Sequence, residues 1–482
     1  MILEAAPSRP RAASRPARVP RRALPWTFAS LLLAFSCAAH AVLPIEHWTT
    51  RNGARVYFVR APSIPMLDVS VGFDAGGRYD PPDKVGLASL TAAQLAKGVP
   101  GLGEAAIAER FADIGAQRGA AAGDDRAAAS LRTLVSEPEL GQSLAMFERV
   151  LAEPDFPADV LAREKERVIQ SLREAQTKPE TIAQRTYGRL LYPRHPYGRY
   201  ATPESIAAIG RDDLLAFHRA RYGAGSAVVA MIGAVTREKA QAIAEQLTAR
   251  LPAGAPAPGL PAVELPARAA EQRIAHPATQ SHILIGLPGI AWGDPDQFAL
   301  LVGNYVLGGG GFVSRLYGEV REKRGLAYSV YSYFSPSLQP GPFTIGLQTQ
   351  REQTDTALQV VRETLGRFLA EGPTDAEVEA AKANLVGGFA LRIDSNRKIL
   401  DNLATIGFYR LPLDYLERWA DRVQAVTAAQ IRDAFARRVR PESLVTVVVG
   451  AGESTAAPRA QAGAAPAGGS SPGAGAAPGL AR

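Results

Sequence analysis

The sequence predicts a duplicated α+β protein: two homologous domains, each a mainly antiparallel sheet with helices packed on one face. Three observations predict it. The chain has 482 residues, more than one ordinary core needs, so division into two domains is expected. It repeats itself: "IAAIGRDDLLAFHRARYGAGSAVVAMIGAV" begins at Ile206 and "VQAVTAAQIRDAFARRVRPESLVTVVVGAG" at Val423, an offset of 217 residues. Each copy reads as an amphipathic helix, a turn and an apolar β-branched strand, and each reaches a glycine, Gly233 or Gly450, after 27 residues. Finally, strands such as "MLDVSVGF" and "SHILIGLPG" mix with long Ala/Leu-rich helices such as "DVLAREKERVIQSLREAQ" and "DAEVEAAKANLVGGFALRI" without strict βα alternation.

Residues 1–41 read as a signal peptide. They hold six arginines and one glutamate, and so carry five of the net seven positive charges. The high isoelectric point is therefore largely a property of this leader and is poor grounds for nucleic-acid binding. After Arg21-Arg22 comes the apolar run "ALPWTFASLLLAFSCAA", shorter than the ~20 residues a membrane span needs. Ala39-His40-Ala41 follows as a small-x-small cleavage pattern, which places cleavage after Ala41 and the mature protein outside the cytoplasm, in the periplasm or otherwise exported. Arg21-Arg22 also leaves twin-arginine export open, and Cys37 leaves lipidation open. Cys37 is the only cysteine, so the mature chain has neither a disulfide nor a cysteine-based metal site. No later segment is long and apolar enough to span a bilayer.

The first domain is expected over 42–252. A Pro/Ala/Gly linker follows over 253–271, then the second domain over 272–452. The Ala/Gly/Pro tail over 453–482 lacks the large apolar side chains a core requires and is expected to be disordered.

Chemistry-bearing patterns are few. The mature chain keeps His47, His195, His218, His276 and His282, no two of them three or four residues apart, so no helix presents a paired imidazole face. His195, in "RHPYG", suits a local hydrogen bond in a turn. There is no G-x-S-x-G elbow, and Ser89 on its helix has no neighbouring histidine or lysine to activate it. In "NYVLGGGGFVSRLYGEVREKRGLAYSVYSYF", Gly308, Gly309, Gly310 and Gly311 suggest a flexible backbone open to a ligand, but no lysine follows where a phosphate loop needs one. Arg321 and Tyr328 lie seven residues apart across a turn. Both suit one cleft, the arginine holding a peptide carbonyl or carboxylate and the tyrosine hydroxyl donating to developing negative charge. On residue type alone the plainer reading is favoured: Arg321 pairs with Glu319 or Glu322, and Tyr328 packs in the sheet.

Several stretches together resemble the M16 (insulinase or pitrilysin-like) metallopeptidase family, in particular its short-chain branch of processing-peptidase subunits, complex III core proteins and bacterial two-subunit proteases. They are "NGARVYFV", "GGRYDPPDKVGLASL", "HPYGRYATPESIAAI" and "VVAMIGAV" in the first half. In the second half they are "DPDQFALLVGNYVLGGGGFVSRLYGEVREKRGLAYSV" and "VQAVTAAQI". The resemblance implies a duplicated M16 (LuxS-like metalloenzyme) fold. It places the family's H-x-x-E-H zinc motif on Ser89, Leu90, Thr91, Ala92 and Ala93, where both ligands and the catalytic glutamate are missing. The third ligand falls near Ser171 or Leu172, neither of them acidic, with Glu166 and Glu174 out of register. The resemblance therefore implies no metal and no catalytic residue in this chain. It also implies a substrate-binding role for Arg321, Tyr328 and Gly308–Gly311, reversing the plainer reading of that pair. Taken together, these implications describe a non-catalytic subunit acting on peptides with a zinc-bearing H-x-x-E-H partner. The alternative is a structural protein like the complex III core proteins.

Overall fold

Residues 44–450 are described in a computed structural model. The predicted signal peptide with Cys37, and the predicted tail over 453–482, lie outside the described residues.

The first half contributes β1 (Glu46–Thr49), β2 (Arg55–Arg60), β3 (Met66–Phe73), the short hairpin β4 (Gly98–Val99) and β5 (Leu102–Gly103), β6 (Gln117–Ala122), β7 (Ala127–Leu134) and β8 (Val228–Gly233). The second half contributes β9 (Ala270–Ala275), β10 (Gln280–Ile290), β11 (Ala327–Phe334), β12 (Gly341–Gln350) and β13 (Val445–Gly450). One sheet runs β1-β2-β8-β3-β7-β6 and the other β9-β13-β10-β12-β11. Each has a single parallel pair, β2 with β8 and β9 with β13, and is otherwise antiparallel.

The repeat read from the sequence recurs element by element. Helix Arg211–Arg221 and strand β8 have their counterparts, 217 positions later, in helix Ala428–Arg438 and β13, and helix Pro179–Leu191 has its counterpart in helix Asn396–Tyr409. Residues 251–269 contain no helix or strand, and β9 opens at Ala270, two residues inside the stretch 253–271 expected to be linker.

The sequence reading put helices on one face of each sheet; the structure also covers part of the opposite face, and it does so reciprocally. Strand β8 is buried along its whole length, the pattern of a strand covered on both sides. Its side chains alternate, as a strand's must. Val229 and Met231 join the core of the first half, whereas Val228, Ala230 and Ile232 join the core of the second. Helix Asn396–Tyr409 inserts Ile399, Leu400, Leu403 and Ile406 into that second core. Each such side chain, fully buried, contributes about 1.5–3 kcal/mol. Gly407 allows the close approach, because a Cβ there would stand 2.5 Å from Val228 and 2.7 Å from Tyr57. In return, helix Pro179–Leu191 lays Ala183, Tyr187 and Leu191 against Leu284 and the Val445, Val447 and Val449 face of β13.

Polar contacts lock the same junction. Asp125, in the turn between β6 and β7, is only 5% exposed. It accepts hydrogen bonds from Tyr197 Oη (2.5 Å), Leu338 N (2.8 Å) and Tyr409 Oη (3.1 Å). Arg126 donates to Ala404 O at 2.9 Å, on the same crossing helix as Tyr409. His195 makes the local bond its turn suggested, its Nδ1 accepting from Tyr197 N at 3.2 Å. That bond orients the stretch from which Tyr197 reaches Asp125.

Candidate functional site

Arg321 and Tyr328 stand side by side. The guanidinium carbon of Arg321 lies 4.5 Å from the Tyr328 ring centroid, 4.9 Å from that of Tyr317 and 6.0 Å from that of Phe312. Phe312 in turn meets Tyr317 edge-on at 5.0 Å. Stacking on aromatic faces holds a guanidinium in place while leaving its five N–H donors for another partner.

The plainer reading of this pair is not what the structure contains. Among the described residues Arg321 has no ion pair. Glu319 is taken by Lys323 at 2.8 Å, Arg324 at 2.6 Å and Arg367 at 3.5 Å. Hydrogen bonds from Lys323 and Arg324 hold the Glu319 carboxyl down at about 2, so it is ionised and saturated. Nor does Tyr328 pack in the sheet: it is 82% exposed. Strand β11 bulges against β12 between Ala327 and Val330, which turns Tyr328 and Ser329 outward. Arg321 itself lies on a π-helical turn, Gly318–Glu322, a distortion of the kind often found at functional sites.

The glycine run is less free than its composition suggests. Gly308 and Gly309 close a second π-helical turn, Tyr305–Gly309. A Cβ at Gly308 would stand 2.5 Å from Ser332 Oγ, at Gly309 2.5 Å from Asn304 Nδ2, and at Gly310 2.6 Å from Tyr305 O. These three glycines serve close packing against β11 and the turn's own backbone. Gly311 alone adopts a left-handed φ, +60°, with open space around it. Beyond it Phe312 and Val313 are 72% and 73% exposed, an apolar tip beside the Arg321 cluster. Sequence reasoning missed Phe312 and Tyr317. Their only signal was aromatic residues spaced along the same stretch as Arg321.

Ser89, Ala92 and Ala93 lie on helix Leu87–Gln94 of the first half, with Ser89 and Ala93 exposed and Ala92 buried. The helix N-terminus is firmly held. Asp80 accepts from Gly86 N at 2.7 Å and Ala88 N at 2.9 Å, while its burial raises the carboxyl to about 6. Beside Ala92 and Ala93 lies a cavity of about 450 Å³ whose ionisable lining is Lys97, Arg118, Glu164 and Arg167. Glu164 is bound by Arg167 at 2.6 Å. Ser171 is exposed, Leu172 packs on the first core, and Glu166 and Glu174 are exposed on the same helix, Ala158–Ala175. Zinc needs at least three nitrogen, oxygen or sulfur donors with lone pairs to give. Methyl groups, three cations and one engaged carboxylate do not fit it. Among the described residues no three His, Cys, Asp or Glu side chains group as a metal site would need. No hydrogen bond, ion pair or ring contact among the described residues joins this helix to Arg321 or Tyr328.

The chain has clear relatives among known proteins. The family model described as "Insulinase (Peptidase family M16)" matches residues 55–200, and "Peptidase M16 inactive domain" matches residues 208–385. A Bacillus subtilis protein known as "uncharacterized zinc protease YmxG" is 27% identical over 362 residues, covering 74% of this chain and 87% of the relative. The crystal structure of a peptidase M16 inactive domain from Pseudomonas fluorescens is 38% identical with a TM-score of 0.81, and the match covers 85% of this chain and 98% of that one. The periplasmic protease PqqL from Escherichia coli shares the fold, with a TM-score of 0.71 at 16% identity, over 85% of this chain and 46% of its own. No helix among the described residues is long and apolar enough to cross a membrane.

Proposed function

The chain belongs to the M16 peptidase family, and from that premise we propose that it is a non-catalytic, substrate-binding subunit of an exported heterodimeric M16 peptidase. A second subunit with an intact H-x-x-E-H would hold the zinc and the general base. This chain contributes Arg321, Tyr328 and the Gly308–Gly311 turn. Its substrates are peptides or unfolded segments, because Arg321 offers donors suited to backbone carbonyls and carboxylates rather than to any one folded surface.

One observation carries the reading. The Arg321–Tyr328 pair is held ready and, among the described residues, left without a carboxylate, in a chain whose motif helix carries two methyl groups and a hydroxyl where the family resemblance puts metal ligands and a base. Three further points support it. The match to the second-half model is to a domain described as inactive. The fold match to a periplasmic protease fits the predicted export, and it covers 46% of that chain, which leaves length there for a second unit of this size.

The isolated chain is expected to bind an unfolded casein fragment and leave it intact. Arg321→Ala should weaken that binding by about tenfold, the scale of a lost charge-assisted hydrogen bond. Fluorescence anisotropy and gel analysis of the same mixture read both results. Chelator-sensitive cleavage by the isolated chain would refute the assignment.

A further inference from the structure

The cavity beside Ala92 and Ala93 lies where the family resemblance puts the H-x-x-E-H motif, yet its chemistry is inverted. Lys97, Arg118 and Arg167 face it against a single carboxylate, Glu164. Two of the cations are already committed, Lys97 to Glu104 at 2.5 Å and Arg167 to Glu164 at 2.6 Å. Arg118 is not: among the described residues its side chain makes no ion pair and no hydrogen bond; its guanidinium overlies the Phe111 ring at 5.4 Å and feels the charge of Glu104, which Lys97 and Arg163 already hold. It projects from β6, the edge strand of its sheet. A guanidinium so placed matches a planar, two-oxygen anion. The surplus of positive charge around it would draw such an anion in.

We infer that this cavity is a carboxylate-binding site for peptides, with Arg118 as its anchor and Lys97 beside it. The ligand is the C-terminal carboxylate of a bound peptide or an acidic side chain within it. The shared chemistry is a carboxylate delivered on a flexible chain, and the volume of about 450 Å³ accommodates one residue with its neighbour's backbone. The inference rests on the substrate-binding reading and extends it. Beside the Arg321–Tyr328 site in the second half, the first half holds a second point of attachment, made where a metal can no longer bind.

The test uses the full exported chain without a partner. A fluorescently labelled alanine–serine peptide is titrated in three forms: with a free C-terminal carboxylate, with a C-terminal amide, and as the amide with one internal glutamate. The free acid is expected to bind about tenfold more tightly than the amide, and Arg118→Gln is expected to erase that ratio. Arg118 lies on an exposed strand, so its replacement should leave the melting temperature unchanged. If the glutamate-bearing amide binds like the free acid, the site takes side chains; if only the free acid binds tightly, it takes chain ends. Arg321→Ala should weaken acid and amide by the same factor and so preserve their ratio. Equal affinity for acid and amide in the wild-type chain would overturn the carboxylate site while leaving peptide binding standing. A ratio lost in Arg321→Ala but retained in Arg118→Gln would place the carboxylate at the other site and overturn it as well. Absence of binding by every peptide would remove the substrate-binding reading and this inference together.

Discussion

Arg321→Ala combined with Tyr328→Phe is expected to lower kcat/KM of the proposed two-subunit peptidase by about 100-fold or more, the scale on which preorganised donors to a reacting carbonyl act. The two changes are chosen so that the fold does not answer for the effect. Tyr328 is 82% exposed, and among the described residues Arg321 makes no ion pair whose loss would strand a buried charge. Tyr328→Phe alone keeps the ring that supports the guanidinium and removes only the hydroxyl, so it isolates hydrogen-bond donation from stacking. Arg321→Lys keeps the charge but loses the planar fork and its fit between the Tyr317 and Tyr328 rings. It should recover little of the lost rate. Full activity with both substitutions would remove these residues from the substrate site.

Asp125→Ala is expected to destabilise the chain by about 3 kcal/mol or more, read as a lowered midpoint of urea denaturation. Three donors converge on this one carboxylate, from Tyr197, Leu338 and Tyr409. Alanine leaves all three without their acceptor at a site only 5% exposed. Leu338 and Tyr409 belong to the second half and Tyr197 to the first, so the loss falls on the junction between them. Asp125→Asn keeps one acceptor oxygen but turns an amide toward another donor, and should fall between alanine and wild type. A midpoint unchanged in Asp125→Ala would show that the reciprocal helix packing holds the halves together without this polar hub.

Much of this architecture was legible in the sequence because it is written in short-range pattern. The offset of 217 residues lay in two helix–turn–strand units whose periodicities are local, and the helix and strand boundaries follow it closely. The places held by Ser89, Ala92 and Ala93 could be read from their neighbours along one helix. What escaped is non-local. Nothing around Tyr187 or Leu403 indicates that each side chain packs on the sheet of the other half. Its only trace was the unbroken apolar run of β8 and β13, which reads equally as an ordinary buried strand. Arg321 was misjudged on residue type because three other cations, one of them the distant Arg367, compete for Glu319. The glycines were read as freedom of the backbone, whereas Gly308 is small because Ser332 stands against it. Arg118 carried no signal at all: an arginine on an edge strand is ordinary until the cavity it lines beside Ala92 and Ala93 is seen.

Calorimetric titration of zinc into the isolated, metal-stripped chain bears most directly on the proposed division of labour between two subunits. No saturable binding is expected, because the cavity beside Ala92 and Ala93 offers a single carboxylate, Glu164, already paired with Arg167, among three cationic side chains. Stoichiometric zinc, lost when Ser89 or Glu164 is replaced, would contradict it.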